Sequence, residues 1–303
     1  MARSQMISEA NQQTLFTVLP REVVDYSQDV LIPISFKPRE PQWDIDTDKV
    51  FAYKNIKIVN CDMFDKHNGL PSLAPKTLDA VITDFPYGTL NKRNEWDKVI
   101  DYDRFWKEVK RVGKENAPTI TTAQMPFTAI LVNTNLKHFK YSLIWEKSKA
   151  TGYLNAKKQP MRAHEDIVVF YDKQCKYNPQ MTKGEPYNKG TAVRDTMAYG
   201  KQEKAVLVKN DEGTRYPRSV QYFVTAESEG KLHPTQKPIA LFEWLVKTYT
   251  DESDLVLDCC MGSGTTAVAC LNSNRAFLGY EKSAEYFNIA KNRIKQEIMR
   301  LGL

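Results

Sequence analysis

The chain has 303 residues, of which 42% are hydrophobic and 26% charged, enough for one large α/β domain with an insertion or for two modest domains. No apolar run is long enough to span a membrane and polar Met1 to Gln13 lacks a signal-peptide core, so the expectation is a cytoplasmic protein with no membrane contact. The net charge of +6 is uneven: from Asn135 to Val220 there are 17 Lys/Arg against 9 Asp/Glu, interleaved with Tyr153, Tyr171, Tyr177, Tyr187, Tyr199 and Tyr216. That pattern is a footprint of nucleic-acid binding, and on charge alone a solvated basic surface accounts for it equally well. The five cysteines form no Cys-x-x-Cys pair and none follows a proline, which argues against structural zinc and against a cysteine nucleophile. The His-x-Glu with Pro-Cys-x-x-Cys pattern of zinc deaminases is also absent.

Residues 1–50 read as an N-terminal arm of unknown role, broken by Pro20, Pro33, Pro38 and Pro41, with short strands at Leu31 to Ile34 and Val50-Phe51. Ile56 to Val59 alternates as a strand and ends at a polar tip bearing Asp62, which faces the ligand crevice or caps the start of a helix. A second strand, Leu78 to Ile82, runs into Asp84-Phe85-Pro86-Tyr87. In an open α/β sheet the end of such a strand is where ligands bind. The four residues suit one task, holding a flat base by its amino group. Asp84 is an acceptor-only carboxylate, Pro86 restricts Phe85 and fixes where its carbonyl points, and Tyr87 offers a stacking face. An ordinary strand end with a turn proline is the bland alternative.

Helical spacing runs from Tyr102 to Val112, with Phe105, Trp106, Val109 and Val112 as core. Thr119 to Thr122, Tyr141 to Trp145 and Ile167 to Tyr171 read as strands, and Phe127 to Val132 as a helix. Between the last two strands lies a loop, Gly152 to Pro160, carrying Asn155, Lys157 and Lys158. His164-Glu165 sits near the base or forms a satisfied core pair. From Asp172 to Arg218 periodicity dissolves over more residues than an ordinary connection needs. Charge and tyrosines make this stretch a candidate subdomain that reads nucleic acid, with Lys176, Tyr177, Lys183, Lys189 and Arg194 as candidate contacts.

Structure resumes at Val220 to Val224. His233 to Pro238 then leads into an amphipathic helix bearing Ile239, Leu241, Phe242, Leu245, Val246 and Tyr249, with Pro238 in its first position and Thr235 or Gln236 near the cap. His233 and Lys237 are candidate cofactor contacts; a helix-start role suits His233 equally. The second anchor is a strand, Leu255 to Leu257, leading through Asp258, Cys260, Gly262, Ser263, Gly264 and Thr265 into a helix. The glycines let backbone approach a ligand, the hydroxyls donate, and Asp258 is placed to pair with a cationic group. Glu281 ends the next strand, where an acid accepts from both ribose hydroxyls. A dinucleotide fingerprint fits the glycine spacing, but a carboxylate ahead of the loop is a poor neighbour for pyrophosphate and suits an amino group and a sulfonium.

Both anchors resemble those of the amino-directed DNA methyltransferases, which act on adenine N6 or cytosine N4. The order, with the amino-group tetrapeptide first, the basic insertion in the middle and the donor loop last, resembles the β-class. Similar stretches cover roughly residues 54–298 and include Asp84 to Thr89 with Trp96-Asp97, Leu154 to Lys157, His164 to Asp166, Tyr177 to Met181, His233 to Pro238 and Cys260 to Thr266. They are most similar to a phage and prophage subgroup. Phe85 stands where the family usually has proline, and Cys259-Cys260 stand where it usually has Pro-Phe.

The resemblance implies a doubly wound, mostly parallel twisted α/β sheet of Rossmann-like methyltransferase type. The catalytic domain would be 51–172 with 220–303, and 173–219 a target-recognition insertion. S-adenosyl-L-methionine is the implied cofactor, with no metal, and double-stranded DNA the implied partner. A homodimer and a cognate restriction endonuclease stay open. Aspartate first in the tetrapeptide points to adenine; the alternatives are N4-cytosine methylation, a silent DNA-binding relative and an NAD-dependent oxidoreductase.

Overall fold

A computed structural model describes residues 41–88, 97–193, 195–196, 200–201, 204–230 and 236–303. Seven strands precede the irregular middle segment: β1 (Ile45–Asp46), β2 (Val50–Tyr53), β3 (Ile56–Asn60), β4 (Ala80–Thr83), β5 (Thr119–Ala123), β6 (Phe139–Thr151) and β7 (Arg162–Phe170). The segment itself holds β8 (Thr182–Lys183), β9 (Tyr187–Ala192), β10 (Asp195–Thr196), β11 (Gly200–Lys201), β12 (Val206–Asn210) and β13 (Thr214–Arg215). After it come β14 (Val220–Phe223), β15 (Leu255–Asp258) and β16 (Ala276–Glu281). The helices are α1 (Tyr102–Val112), α2 (Phe127–Thr134), α3 (Ile239–Tyr249), α4 (Thr265–Asn272) and α5 (Ala284–Leu301).

Among the described residues one sheet runs β1-β2-β3-β16-β15-β4-β5-β7-β6-β14. Strands β3, β16, β15, β4 and β5 are mutually parallel, β14 is parallel to β6, and β2 and β7 run against their neighbours. Every residue of β4 and β5 is buried, as strands covered on both faces must be. Alternation sorts their side chains: Ile56, Ile58, Ala80, Ile82, Val256 and Phe277 pack with α3, α4 and α5. Val59, Val81, Leu257, Leu278 and Tyr280 pack with α1 and α2 on the other side. The sheet is therefore doubly wound, as expected.

The helices start where side chains satisfy their first N–H groups. Asp101 caps α1 by accepting from the Arg104 N–H at 3.0 Å, and Ser283 caps α5. Helix α3 differs from the sequence reading by one residue. Pro238 is the extended residue before it, and the Ile239 N–H is taken by Glu229 Oε1 at 2.9 Å. Thr235 and the short strand at Leu31 to Ile34 lie outside the described residues.

Two elements are longer or more ordered than the sequence suggests. Strands β6 and β7 continue as a hairpin beyond the core, where Thr151 faces Arg162. The irregular segment folds back on itself as nested antiparallel pairs, β8 with β13, β9 with β12 and β10 with β11. Its first residues are tied to the body instead: Cys175 is buried, and the Asn178 N–H donates to the Thr248 carbonyl at 2.7 Å.

The order in which the chain adds strands reverses between β4 and β15. From β4 the path leads through α1 to β5, and from β15 through α4 to β16 on the opposite side, so a crevice opens past their ends. One carboxylate fastens the two tips. Asp258, 2% exposed, accepts from Thr83 Oγ1 at 2.6 Å, from the Cys260 N–H at 3.0 Å and from the Thr266 hydroxyl. Burial pushes its carboxyl from the ordinary 3.8 up to about 6, against the pull of those three donors. A raised folded value means stability that is fully present below the ordinary value and lost as pH rises through about 6. Relative to Asp258→Asn, the wild type should therefore lose up to about 3 kcal/mol of unfolding free energy between about pH 4 and about pH 7, read by urea titration at each pH. A difference between the two proteins that stays constant across that window would contradict this.

Candidate active site

Asp84 directly follows the last residue of β4. Its Oδ1 accepts from the Tyr87 hydroxyl at 3.0 Å and from the Thr122 hydroxyl at the end of β5. Its Oδ2 is paired with the Lys237 ammonium at 2.6 Å. Phe85 is 2% exposed and packs edge-on against Phe105 and Tyr102, with centroids at 4.9 and 5.7 Å. The ring held in the core supplies the anchorage that a proline's restricted backbone would otherwise give at this position. Past Pro86, the Tyr87 ring stacks on Phe127 at 4.8 Å and 18°. Buried Asp97 accepts from the Gly88 N–H at 2.8 Å and closes the turn. Tyr87 lines a pocket of about 270 Å³ together with Gln124, Met125, Pro126, Thr151, Gly152 and Arg162.

The glycine loop lies beside this tetrapeptide, at the end of the neighbouring strand. Gly262 and Gly264 have φ of +52° and +79°, and a Cβ on Gly264 would stand 3.1 Å from the Ala290 Cβ. Glu281 ends β16 and accepts from the Gly262 N–H at 2.9 Å and the Ser283 N–H at 2.8 Å. Burial raises its carboxyl above the ordinary value although both N–H groups oppose this. Cys260 is partly buried, and its thiol is pushed well up by burial and by the carboxylates around it.

Three expected cofactor contacts are placed differently. Asp258 was expected to meet a ligand's cationic group, but it is a buried clamp whose two oxygens already serve Thr83, Cys260 and Thr266. Ser263 and Thr265 were expected to donate to a ligand. Both are buried, and their hydroxyls instead contact the Arg293 guanidinium of α5, at 3.3 and 2.9 Å. The Thr265 hydroxyl also donates to the Lys237 carbonyl at 3.2 Å. Lys237 thus reaches both anchors, its ammonium on Asp84 and its carbonyl at the loop. Asp62 lies past β3, where it accepts from the Phe64 N–H at 2.9 Å and pairs with Lys282 at 3.2 Å. His233 falls outside the described residues.

The candidate DNA contacts separate into two groups. Asn155, Lys157 and Lys158 are exposed at the tip of the β6–β7 hairpin, whose Thr151, Gly152 and Arg162 border the Tyr87 pocket. Lys183 and Lys189 are exposed on the nested hairpin, with the Lys189 ammonium 5.3 Å from the Tyr187 ring centre. Arg194 falls outside the described residues. Lys176 and Tyr177 correct the expectation. Lys176 pairs with Asp254 at 2.6 Å and Asp251 at 2.9 Å, just before β15 begins and so at the opposite end of that strand from the crevice. Tyr177 packs toward Tyr249 there. Their partners are close in space and far apart in sequence, so no local pattern discloses them.

Sequence reasoning gave no site role to Thr83, Thr122, Lys147 and Arg293, which hold the named residues in place, and it read Thr266 as a donor without its partner Asp258. The one local signal was a threonine-rich strand end at Thr121-Thr122, unusual beside strands made of valine and isoleucine.

The donor loop fits a nucleoside-bearing ligand. Its backbone turns on glycines, and an acid stands at the next strand end. Among the described residues no group of His, Cys, Asp or Glu is arranged to hold a metal, and no helix is long and apolar enough to cross a membrane.

Comparison with known proteins agrees with this geometry. The sequence model described as DNA methylase, covering N6 and N4 enzymes, matches residues 78–292. The Type II methyltransferase M.HpaI of Haemophilus parainfluenzae is 26% identical over 239 residues, 75% of this chain and 71% of that protein. M2.LlaDCHI of Lactococcus lactis subsp. cremoris is 24% identical over 279 residues, 82% and 93% of the two chains. Among solved structures, the M1.HpyAVI–SAM complex superposes with a TM-score of 0.54 at 22% identity, covering 79% of this chain and 98% of that one. The cytosine-N4-specific PvuII DNA methyltransferase gives 0.54 at 15% identity, covering 86% and 96%. An Asp-Phe-Pro-Tyr tetrapeptide at one strand end, a glycine loop on the adjoining strand and a family match across most of the chain lead to one assignment: the protein belongs to the amino-directed DNA methyltransferases.

Proposed function

We propose that the protein methylates the exocyclic N6 of adenine in double-stranded DNA, with Asp84, Phe85, Pro86 and Tyr87 as its base-gripping residues. The observation that carries this reading is the adjacency of the two anchors. Asp84 and the glycine loop end neighbouring parallel strands, and Lys237 touches both. The donor in this family is S-adenosylmethionine, which supplies an electrophilic methyl group on a sulfonium. Gly262, Gly264 and the backbone leading into α4 form its cradle, and Glu281 is placed for ribose hydroxyls. Asp62 and Cys260 flank that cradle.

The target nitrogen is hidden in the base stack, so the base must leave the duplex at a cost of a few kcal/mol. The Tyr87 pocket is the receiving site, with Phe127 backing the tyrosine ring. Asp84 and the Phe85 carbonyl accept the two amino hydrogens. That arrangement favours a pyramidal nitrogen with an available lone pair, and it leaves Asp84 next to the proton the nitrogen must shed. No side chain forms a covalent intermediate. The protein's contribution is positioning, worth roughly 7–11 kcal/mol of barrier when the fit is good. Aspartate in the first position goes with adenine in the family the chain resembles, and cytosine N4 is the alternative from the same chemistry.

The hairpin tip at Asn155, Lys157 and Lys158 borders the pocket, which suits it to the DNA backbone near the extruded base. Lys183, Lys189 and the nested hairpin would reach further along the duplex. A homodimer and a partner nuclease are not needed by any part of this reading.

Labelled methyl transfer to DNA followed by nucleoside analysis should give N6-methyladenine. N4-methylcytosine would move the assignment to the alternative, and no labelled base would overturn it. Asp84→Ala should lower transfer by about a thousandfold. It should leave the melting-temperature rise caused by S-adenosylhomocysteine intact. Loss of both together would contradict the role given to Asp84. Replacing Lys157 and Lys158 by alanine should reduce the salt dependence of DNA affinity by about two in log–log slope. An unchanged slope would remove the hairpin tip from the interface.

A further inference from the structure

The Asp84 carboxylate is fully engaged in this structure. Oδ1 accepts the Tyr87 and Thr122 hydroxyls, and Oδ2 holds the Lys237 ammonium at 2.6 Å. The function proposed above requires the same carboxylate to accept an N–H from the target base. Something must therefore give way, and the group ion-paired to Oδ2 is the Lys237 ammonium, whose side chain is 7% exposed.

A second carboxylate stands within reach. Glu165 Oε2 lies 3.6 Å from the Lys237 ammonium, is buried, and makes no hydrogen bond among the described residues. Its other oxygen, Oε1, is held at 2.5 Å by Lys147, whose side chain is 6% exposed. The four groups form a row, Lys147, Glu165, Lys237 and Asp84, with two positive and two negative charges. A shift of the middle ammonium by about the difference between an ion-pair contact and a hydrogen bond would hand it from Asp84 to Glu165, while Asp84 keeps the Tyr87 and Thr122 hydroxyls and gains the base's N–H as donors. Burial alone would discharge both middle groups, yet the opposite charges prevail: Glu165 is held below its ordinary value and Lys237 above its own.

Resting on the proposed function, we infer that Lys237 is a sliding counter-ion that occupies Asp84 when no base is bound and transfers to Glu165 Oε2 when the base's amino group arrives. Glu165 is then a positioning residue, acting on the reaction through Lys237. No proton moves and no covalent bond changes: both carboxylates stay ionised and the lysine stays an ammonium. The lysine's carbonyl accepts from Thr265 at the donor loop, so the backbone from which this side chain moves is fastened to the methyl-donor site. The arrangement keeps a base-gripping carboxylate neutralised until an amino group competes for it. A static ion-pair row with no movement is the competing description, and it predicts different behaviour in a double variant.

The experiment measures kcat and KM for methyl transfer to sheared unmethylated genomic DNA, together with S-adenosylhomocysteine affinity by calorimetry and folding by circular dichroism. Glu165→Gln should lower kcat by about ten- to a hundredfold, because the ammonium keeps its hold on Asp84. S-adenosylhomocysteine affinity and the spectrum should stay as in the wild type. Adding Lys237→Met to Glu165→Gln should restore much of the lost kcat, since no ammonium then blocks Asp84. Wild-type kcat in Glu165→Gln, or losses that simply multiply in the double variant, would overturn the inference. Should Glu165→Gln fail to fold, Glu165→Asp decides: an intermediate kcat with normal S-adenosylhomocysteine affinity supports the inference, and wild-type kcat overturns it. A wild-type protein that methylates no DNA refutes the proposed function itself, a result distinct from an active wild type with an indifferent Glu165.

Discussion

A single hydroxyl–carboxylate contact sets the geometry on which the rest depends. Thr83, the last residue of β4, donates at 2.6 Å to Asp258, the last residue of β15, inside a parallel pair that is buried on both faces. The next residue along one strand is Asp84, and a few residues along the other is Gly262. Because the bond joins the ends themselves, Asp84 and the glycine loop are held at one edge of the sheet. Connections leave these two strands in opposite directions, so a crevice opens past their ends. The Asp258 carboxylate holds the crevice together, its oxygens taken by Thr83, Cys260 and Thr266.

Several polar groups around that crevice are held by partners in the fold, which makes them stiff. Arg293 fixes Ser263 and Thr265, Glu281 fixes Gly262, and Asp97 fixes Gly88. Such networks hold a reacting geometry to the tolerance that positioning catalysis requires, because each side chain is locked by more than one neighbour. Lys237 differs in having an alternative close at hand, since it stands between two carboxylates at 2.6 and 3.6 Å. Rigidity elsewhere makes that single degree of freedom meaningful.

Much of this was readable in the sequence where one physical rule acted alone. Buried parallel strands write themselves as apolar runs, and α1 appeared at Tyr102 to Val112 because its apolar stripe has helical spacing; the Asp101 cap came only with the structure. Both anchors were visible as strand ends followed by turn residues. What stayed hidden depended on distant partners. The outer part of the β6–β7 hairpin has polar residues on both faces, so alternation gives no signal there. The nested hairpin is built from strands as short as two residues, below what periodicity detects. Lys176 looked like a phosphate contact because a charge does not declare its partner; Asp251 and Asp254 became its neighbours only through the fold. Asp258 was misjudged for the same reason, since Thr83 and Thr266 approach it from two elements. Phe85, a departure from the family's proline, proved to be anchored by packing against Phe105 and Tyr102.

The central claim is that the amine grip and the methyl-donor loop serve one reaction centre. The most direct measurement is a crystal structure of the protein with sinefungin, whose amine replaces the transferable methyl. The account predicts the ligand's ribose at Glu281 and its amine turned toward Asp84 and the Phe85 carbonyl. Sinefungin bound elsewhere, or bound at the glycine loop with its amine directed away from Asp84, would contradict it.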